Sequence, residues 1–347
     1  MKRNYVMMAM AAAMLASCAQ TGLVEEIAEE PQKAIGFSTF ADKTTRAISD
    51  PELEKYHQTF GVWAYKTYDG TETPVMNHYQ VTSQGTGSGT NGWHYDGTDG
   101  LALGQVLRYW DTRATYAFYA YAPFNKDNVL INSATKKISI QEGEYAANEN
   151  LQKEWSTSLN ANDFTGIGTP VPDKSTDWMI ADNQTGILGS AKPLVTENFK
   201  HTLSKLIVKV KIKESFTKNI TVNSISLSHV HGEGRFDGEK WQRNDNFKAI
   251  IEGVAGVMEP EKNYYSMEYL VMPITINETQ HLPKFNINYT IDDEVFDVQN
   301  ANISAITALV ANTVYTITVT VGPDPIHFDA TVTDWPTPGA SGSVTIL

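Results

Sequence analysis

Four segments of the chain alternate apolar and polar residues with a period of two. The clearest is 205–213, where lysines and one isoleucine separate the apolar residues of the opposite face, Leu206, Val208, Val210 and Ile212. The same alternation recurs at 285–291, 314–321 and 326–332. Successive side chains of a strand point to opposite faces, so this period is typical of strands with one buried face.

Weaker strand signals occupy much of the remaining chain, at 59–66, 75–82, 116–122, 178–181, 220–227 and 269–276. Turn sequences separate them, at Asp69-Gly70, 85–92, Asp96-Gly97, Asp99-Gly100 and 232–238. The best helical signal, at 149–159, predicts one short surface helix. Many short strands with glycine-rich turns favour an all-β protein made of β-sandwiches over an α/β fold.

A chain of 347 residues suggests two domains. Gly186, Gly189 and Pro193 interrupt the strand pattern before the long run at 195–212. We therefore expect one β-sandwich at 47–190 and a second in tandem at 191–347. No sequence repeat relates them, so this division rests on length and on these breaks alone.

The N-terminus has the features of an export signal. Lys2 and Arg3 precede an apolar run at 5–16, which is shorter than the roughly 20 residues that span a bilayer. Leu15-Ala16-Ser17-Cys18 follows and resembles a bacterial lipobox, in which the cysteine is acylated and becomes the new N-terminus. We predict a lipoprotein signal peptide at 1–18, lipidation of Cys18, and a solvated, glutamate-rich tether up to about residue 33. The alternative is an ordinary signal peptide with an incidental cysteine.

Composition excludes several classes of protein. Cys18 is the only cysteine, so neither an intramolecular disulfide nor a cysteine-based zinc or iron-sulfur site is available. The net charge is −13, from 27 basic and 40 acidic residues. Because phosphate contacts depend on Lys and Arg, we expect no nucleic-acid partner.

The sequence contains no recognisable catalytic motif. Ser88 and Ser341 lie among glycines, but neither has the Gly-x-Ser-x-Gly frame of a nucleophile elbow. Phosphate-binding and dinucleotide-binding glycine motifs do not occur either. We therefore expect no enzymatic activity and no cofactor.

Two groups of residues have side chains that can ligate metals. His229 and His231 end a predicted strand, with Glu233 or Asp237 as a third ligand, and the loop 96–99 contains two aspartates. The aspartate loop lacks the spacing of an EF-hand. The favoured interpretation is a solvated hairpin rim in the first case and an ordinary turn in the second, so no metal site is expected.

Aromatic residues are concentrated at 116–121, where rings fall on both faces of one predicted strand. Exposed Tyr and Trp stack on sugars, which suggests a glycan-binding face with Trp93, Tyr95, Trp110 and Trp155 as further candidates. A strand with rings on both faces is more often central and buried between layers. We favour a core role for this strand.

Several motifs, in order along the chain, resemble the fimbrillin family of Bacteroidales, the subunits of lipoprotein-derived pili. They are the lipobox at Cys18, Tyr-Ala-Tyr-Ala-Pro at 119–123, Asp-Trp-Met-Ile-Ala at 177–181, Phe-Lys-His-Thr-Leu-Ser-Lys-Leu at 199–206, Thr-Val-Tyr at 313–315 and Asp-Trp at 334–335. Each motif is weak alone, but together they span most of the chain.

The resemblance implies two transthyretin-like β-sandwich domains and a maturation pathway. An arginine-specific protease would cut between Arg46 and Ala47, after the apolar segment 35–41, and remove a propeptide at 19–46 that contains the first strand. Removal of a strand leaves a hydrophobic groove with unpaired backbone groups, which a strand of another subunit can fill. The donor would be the C-terminal segment, where Val344 and Ile346 share one face.

The favoured hypothesis is therefore a structural or adhesive pilus subunit, most like a stalk subunit, that polymerises by strand exchange. Its partners would be other pilin subunits, the protease and, for the precursor, the outer membrane. The expected location is the cell surface, first on the outer membrane and then in the fimbrium. The alternatives are a pilus anchor or tip component, or an outer-membrane glycan-binding lipoprotein that stays attached through Cys18 and recognises host or bacterial surface glycans.

Overall fold

Strands make up most of the fold in the part of the chain that the structure describes. This computed structural model describes residues 33–39, 59–82, 93–95, 104–144, 177–231, 233–243, 247–252, 256–258, 264–303, 305–334 and 343–344. The strands are β1 (Gly36–Thr39), β2 (Thr59–Tyr68), β3 (Thr71–Thr82), β4 (Thr115–Ala122), β5 (Val129–Ile131), β6 (Ile138–Glu144), β7 (Met179–Ala181), β8 (Gln184–Leu188), β9 (Leu194–Glu197), β10 (Phe199–His201), β11 (Ser204–Ile212), β12 (Ile220–His231), β13 (Glu233–Phe236), β14 (Trp241–Arg243), β15 (Phe247–Glu252), β16 (Gly256–Met258), β17 (Tyr264–Val271), β18 (Lys284–Ile291), β19 (Glu294–Asn302), β20 (Thr313–Val321), β21 (His327–Asp334) and β22 (Ser343–Val344). Two 3-10 helices occupy Gly189–Ala191 and Ile276–His281. The expectation of an all-β protein is confirmed.

The N-terminal half is organised around an antiparallel sheet in the order β10-β7-β4-β2-β3, with β8 also paired to β4. β2 and β3 form a hairpin that turns at Asp69 and Gly70, whose φ angles are 49° and 73°. Positive φ at both central residues is the geometry of a type I′ turn, for which Asp-Gly is a preferred sequence. The turn expected at Asp69-Gly70 is confirmed.

This central sheet is covered on both faces. On one face, β1 and β9 form a two-stranded parallel layer that shares a hydrophobic core with β2, β3 and β4. On the other face, a sheet in the order β14-β13-β6-β5 contributes to a second core rich in aromatic rings. The rings of β4 accordingly fall into two different cores, Tyr116 and Phe118 into the first and Tyr119 and Tyr121 into the second.

Two sheets of the C-terminal half enclose a third core. Their orders are β17-β11-β20-β21-β22 and β15-β12-β18-β19, with β16 paired to β12. β11 and β20 are parallel, although the strands of the second sheet separate them in sequence. Burial alternates residue by residue along β11, as the period-two pattern predicts. Leu206, Val208, Val210 and Ile212 all face this core.

Two local expectations are wrong. Residues 232–238 were expected to be a turn, but β13 lies within them and pairs with both β6 and β14. The strand expected at 269–276 ends at Val271, and a 3-10 helix begins at Ile276. Pro273 has no N–H to continue a strand ladder, and Thr275 and Glu278 form a capping box that starts the helix.

The 3-10 helix Gly189–Ala191 lies at the predicted domain boundary. Beyond it, β9 and β10 pair with β1 and β7 of the N-terminal half. The division into domains at residue 190 stays a prediction. No helix among the described residues combines the length and the hydropathy that a membrane crossing requires.

Candidate functional site

β1 is buried against the central sheet by alternate side chains. Ile35, just before the strand, and Phe37 within it are 1% and 0% exposed. The ring of Phe37 meets Phe60, Tyr95 and Phe118 edge-on, at centroid distances of 5.5, 5.8 and 6.0 Å. Edge-to-face contacts at these distances add to the hydrophobic contribution of the buried ring. Phe37 is therefore enclosed by aromatic rings.

The backbone of residues 33–39 is hydrogen-bonded on two sides. Along β9, the register pairs residues 36–39 with residues 194–197 in parallel. On the other side, the amide of Ile35 donates to the carbonyl of Arg108 at 2.8 Å, and the amide of Trp110 donates to the carbonyl of Lys33 at 3.1 Å. Loss of β1 would leave these backbone groups without their partners.

We define the β1 groove as the surface that β1 covers, formed by Phe60, Tyr95, Phe118, Val195 and Glu197. The hydroxyl of Tyr95 donates a hydrogen bond to the carbonyl of Ile35 at 2.7 Å. The groove thus binds this strand through an apolar pocket, through strand pairing and through a side-chain hydrogen bond.

A buried glutamine, Gln105, stabilises the wall of the β1 groove without contacting β1. Its amide nitrogen donates to the carbonyls of Tyr95 at 2.7 Å and of Gln80 at 2.9 Å. Its amide oxygen accepts a hydrogen bond from the backbone N–H of Gln80 at 2.6 Å. Because these bonds join parts of the chain that remain when β1 is absent, they favour a groove that keeps its shape.

Glu197 is an exception in this apolar environment. It is 0% exposed, and neither of its carboxyl oxygens has a hydrogen-bond partner. Burial raises the pKa of Glu197 to about 8, because the charged form loses its hydration. The carboxyl group therefore carries a proton at neutral pH. The sequence analysis missed this residue, although Val195, Glu197 and Phe199 occupy alternate, core-facing positions.

Several residues named from the sequence lie outside the described residues. They are Cys18, Arg46, Ala47 and Ile346, and with them Ser88, Asp96, Asp99, Trp155, Ser341 and the helix expected at 149–159. The backbone of Val344 is described in β22, which pairs antiparallel with β21 at Val332 and Thr333. The roles of Cys18, Arg46, Ala47, Val344 and Ile346 stay predictions.

The interpretation of the candidate metal ligands His229 and His231 as a solvated hairpin rim is wrong for His231, which is 2% exposed. The Nε2 of His231 lies 3.2 Å from the Nδ1 of His281, while the Nδ1 of His229 lies 3.3 Å from the hydroxyl oxygen of Ser228. Asp237 accepts hydrogen bonds from the backbone amides of the turn that follows it, a structural role. In the described part of the chain, no three His, Cys, Asp or Glu side chains form a possible metal site.

The candidate glycan-stacking residues that the structure describes are in the core. Trp93, Tyr95 and Trp110 are buried, and so are all four rings at 116–121. The core role that was favoured for the aromatic strand is confirmed. These rings are not available to stack on a sugar.

Comparison with known proteins identifies the family. The family model described as fimbrillin-like matches residues 45–335. A fimbrial protein of Bacteroides vulgatus is 17% identical, with a TM-score of 0.54 over 87% of this chain and 99% of that one. A proposed cell adhesion protein of Bacteroides ovatus is 15% identical, with a TM-score of 0.52 over 88% of this chain and 99% of that one.

A third similar structure is a C-terminally truncated form of the tip fimbrial protein Mfa3 of Porphyromonas gingivalis, at 13% identity and a TM-score of 0.41, covering 80% of this chain and 94% of that one. No curated protein sequence shows a significant match. At these identities the structures show the fold alone, whereas the family model covers well over half of the chain. The chain belongs to the fimbrillin-like family, whose members are structural subunits and not enzymes.

Proposed function

We propose that the chain is a stalk-type pilus subunit that is exported as a lipoprotein and polymerises by strand exchange. Lipidation of Cys18 brings the precursor to the outer membrane. Cleavage between Arg46 and Ala47 then detaches β1, and the C-terminal strand of another subunit, with Val344 and Ile346, enters the β1 groove. Family membership supports the coarser part of this proposal, a pilus subunit at the cell surface.

The observation that carries the proposal is the position of β1. Phe37 of β1 and Ile35 just before it are fully buried, yet Thr39 is only seven residues before Arg46 in the sequence. A cut after Arg46 would leave β1 attached to the subunit by non-covalent contacts alone. The strand has only four residues, so its replacement breaks few backbone hydrogen bonds.

The C-terminal segment has a pattern that suits this groove. Val344 and Ile346 are two residues apart, the same spacing as Ile35 and Phe37. Within the described residues, β22 pairs with β21 at two positions, Val344 with Val332 and Ser343 with Thr333, and strand exchange would require this pairing to be released. Strand addition of this kind uses backbone hydrogen bonds for affinity and alternate side chains for fit.

The test is to treat the purified full chain with an arginine-specific protease and to measure the mass of the product by light scattering and its form by electron microscopy. We expect polymers from the wild type and monomers from Arg46→Lys, which keeps the charge but removes the cleavage site. The double variant Val344→Asp/Ile346→Asp should be cut and remain monomeric. The matched control, Val310→Asp at a residue that is 56% exposed, should polymerise.

A cut wild-type chain that stays monomeric at high concentration would contradict the stalk role. The N-terminal residue of the protein recovered from cells distinguishes the alternatives. Ala47 supports a polymerising subunit, whereas an acylated Cys18 supports an anchor or a glycan-binding lipoprotein.

A further inference from the structure

β1 has a defined direction between two different neighbours. All four of its residues pair in parallel with β9. On the other edge, Ala34, just before the strand, pairs antiparallel with Tyr109. Parallel and antiparallel ladders place their hydrogen bonds differently. A replacement strand of the opposite direction would have to change both patterns, so the β1 groove favours a strand that runs in the direction of β1.

This direction determines where the donor subunit lies. A donor strand that runs like β1 has its N-terminal side at the end of the groove near Lys33, and the body of the donor is joined to that side. Eight residues, 335–342, separate β21 from β22. A segment of this length spans at most about 30 Å. The body of the donor must therefore lie close to the end of the acceptor at which β1 begins.

Four exposed side chains lie at this end of the acceptor, and we define them as the entry surface: Tyr68, Tyr109, Arg113 and Leu188. Tyr68, Tyr109 and Leu188 are 47%, 45% and 57% exposed. The guanidinium of Arg113 lies over the ring of Tyr68, 4.9 Å from its centroid. Leu188 pairs with Thr115, two residues after Arg113. Tyrosine and arginine are enriched among the residues that contribute most to protein interfaces.

The side chain of Arg113 is held in place although it is exposed. Its guanidinium donates to both carboxyl oxygens of Asp111, at 3.1 and 3.3 Å, and Asp111 also pairs with Lys66 at 3.2 Å. Asp111 directly follows Trp110, whose amide donates to the carbonyl of Lys33 before β1. A side chain that is ordered before binding loses less entropy when a partner docks. The entry surface is thus preorganised beside the opening of the groove.

The charge of this end also suits a second copy of the chain. Around the entry surface the described residues place four basic side chains against two acidic ones, namely Lys33, Lys66, Arg113 and Lys192 against Asp69 and Asp111. The chain as a whole has a net charge of −13. Opposite charges on two surfaces favour their encounter and their correct alignment.

We propose that the entry surface is the docking site for the body of a second copy of this chain, the subunit whose C-terminal strand fills the β1 groove. This inference rests on the proposed function and adds a second contact to each junction. Because the strand and the body belong to one chain, binding of the strand brings the body to the entry surface at a high effective concentration.

The experiment uses two full-chain variants that can form only one junction. The donor is Arg46→Lys, which keeps β1, and the acceptor is the cut double variant Val344→Asp/Ile346→Asp, separated from the released fragment in mild denaturant. The Kd of their 1:1 complex is measured by analytical ultracentrifugation. Binding of a fluorescent peptide of residues 336–347 to the same acceptor is measured by anisotropy and reports the groove without the donor body.

Leu188→Asp in the acceptor should raise the Kd of the complex at least about tenfold, since it places a charge in the junction. Tyr68→Ser/Arg113→Ser should have a similar effect. The matched control Val295→Asp, at a residue that is 61% exposed, should change the Kd less than about twofold. Peptide binding should be the same for all these acceptors. Leu188→Asp in the donor should have no effect, because the entry surface of the donor is outside the junction.

A disulfide tests the direction of the donor strand. When Val344 takes the position of Ile35, Ser343 comes opposite Tyr109. Hydrogen bonds flank this pair on both sides, the arrangement in which opposite Cα atoms are closest. Ser343→Cys, in a donor whose native cysteine is replaced by serine, should therefore form a disulfide with Tyr109→Cys of the acceptor. It should form none with Asn198→Cys, an exposed position at the other end of the groove.

The results that would overturn the inference are distinguishable from failure of the proposed function. If both entry-surface variants behave like Val295→Asp, the donor body docks elsewhere, while strand exchange stands. A disulfide with Asn198→Cys in place of Tyr109→Cys would show that the strand runs in the opposite direction and that the donor body lies at the other end. If neither the donor nor the peptide binds the cut acceptor, the proposed exchange itself is wrong, and the inference falls with it.

Discussion

The hydroxyl of Tyr95 donates a 2.7 Å hydrogen bond to the carbonyl of Ile35, a residue 60 positions earlier in the chain. Tyr95 is 1% exposed, so this bond lies in the core. The bond connects β1 to a part of the molecule that would remain after cleavage at Arg46. Removal of the Tyr95 hydroxyl therefore tests how strongly β1 is bound to the rest of the subunit.

Tyr95→Phe should weaken the binding of β1, and it also removes a 3.3 Å contact in which the Tyr95 hydroxyl accepts from the backbone N–H of Arg108. A buried carbonyl that loses its donor costs about 1–3 kcal/mol. We expect a loss in this range in urea denaturation, and faster hydrogen exchange of residues 33–39 than of β11. Tyr109→Phe, at a ring that is 45% exposed, is the control and should change neither measurement. Unchanged exchange of residues 33–39 in Tyr95→Phe would contradict this role.

Phe37→Ala should create a cavity among three aromatic rings. Truncation of a buried phenylalanine costs roughly 3–5 kcal/mol, and we expect the unfolding free energy to fall by that amount. Ser38→Ala, on the opposite side of the same strand, removes only one partly buried hydroxyl contact and should cost about 1 kcal/mol or less. Equal losses in the two variants would show that β1 is not bound through its core-facing side.

Glu197→Met should stabilise the intact chain at neutral pH. The folded-state pKa of Glu197, about 8, lies above the ordinary value of 4.5, so the unfolded chain releases this proton first and stability is lost as pH rises between these values. At pH 7 this difference in pKa lowers the free energy of unfolding of the wild type by about 3 kcal/mol. We expect Glu197→Met to be more stable by up to that amount at pH 7 and about equal to the wild type near pH 4.5. The exposed control Glu294→Met should show the same pH dependence of stability as the wild type. If Glu197→Met also showed it, the carboxyl group of Glu197 would be solvated in the folded chain.

His78 should have the opposite effect on the pH dependence of stability. Its ring stacks on Trp63 at 4.2 Å, and burial, assisted by Lys126, lowers its pKa from 6.5 to about 4. The folded chain keeps His78 neutral, so stability is lost as pH falls from 6.5 to 4. Because the ring is only partly buried and solvent screens its charge, the loss should be well below the limit of about 1.4 kcal/mol per pH unit. His78→Asn should abolish this loss, because asparagine tolerates the positive φ of 55° but does not titrate. His327→Asn, at an exposed site, is the control.

The contributions of Glu197 and His78 overlap between pH 4.5 and 6.5 and have opposite signs there. The wild type should therefore lose less stability with rising pH in this interval than His78→Asn does. Glu197→Met should become more stable with rising pH, and His78→Asn less stable. Parallel pH profiles for the two variants, measured by urea denaturation, would show that at least one of the two groups is solvated in the folded chain.

The strands with one buried face could be predicted because alternation in the sequence reports burial directly. β11, β18 and β20 were predicted within one residue at each end. β13 pairs with both β6 and β14, but it was missed because its glycine was taken for a turn residue. Gly234 is instead needed for close approach, since a Cβ there would come within 2.6 Å of the carbonyl oxygen of Gln242. A glycine needed for close approach has the same sequence signature as a glycine in a turn.

The β1 groove was predictable only in part, because its contacts depend on the fold and not on a local sequence pattern. The apolar segment that contains Ile35 and Phe37 was recognised from its resemblance to a family. The contacts that form the β1 groove join positions far apart in the sequence, such as Phe37 with Phe118 and Thr39 with Glu197. Glu197 appears in the sequence as one acidic residue among 40, and only its burial in the fold distinguishes it.

The parallel pairing of β1 with β9 has a mechanical consequence for a fibre built in this way. A strand that replaced β1 in the same orientation would transmit tension along its own axis, so its hydrogen bonds to β9 would be loaded together in shear. A strand pulled at right angles to its neighbour is instead peeled away one bond at a time. A pilus whose subunits were joined in this way would share the drag of flowing liquid among several hydrogen bonds at each junction.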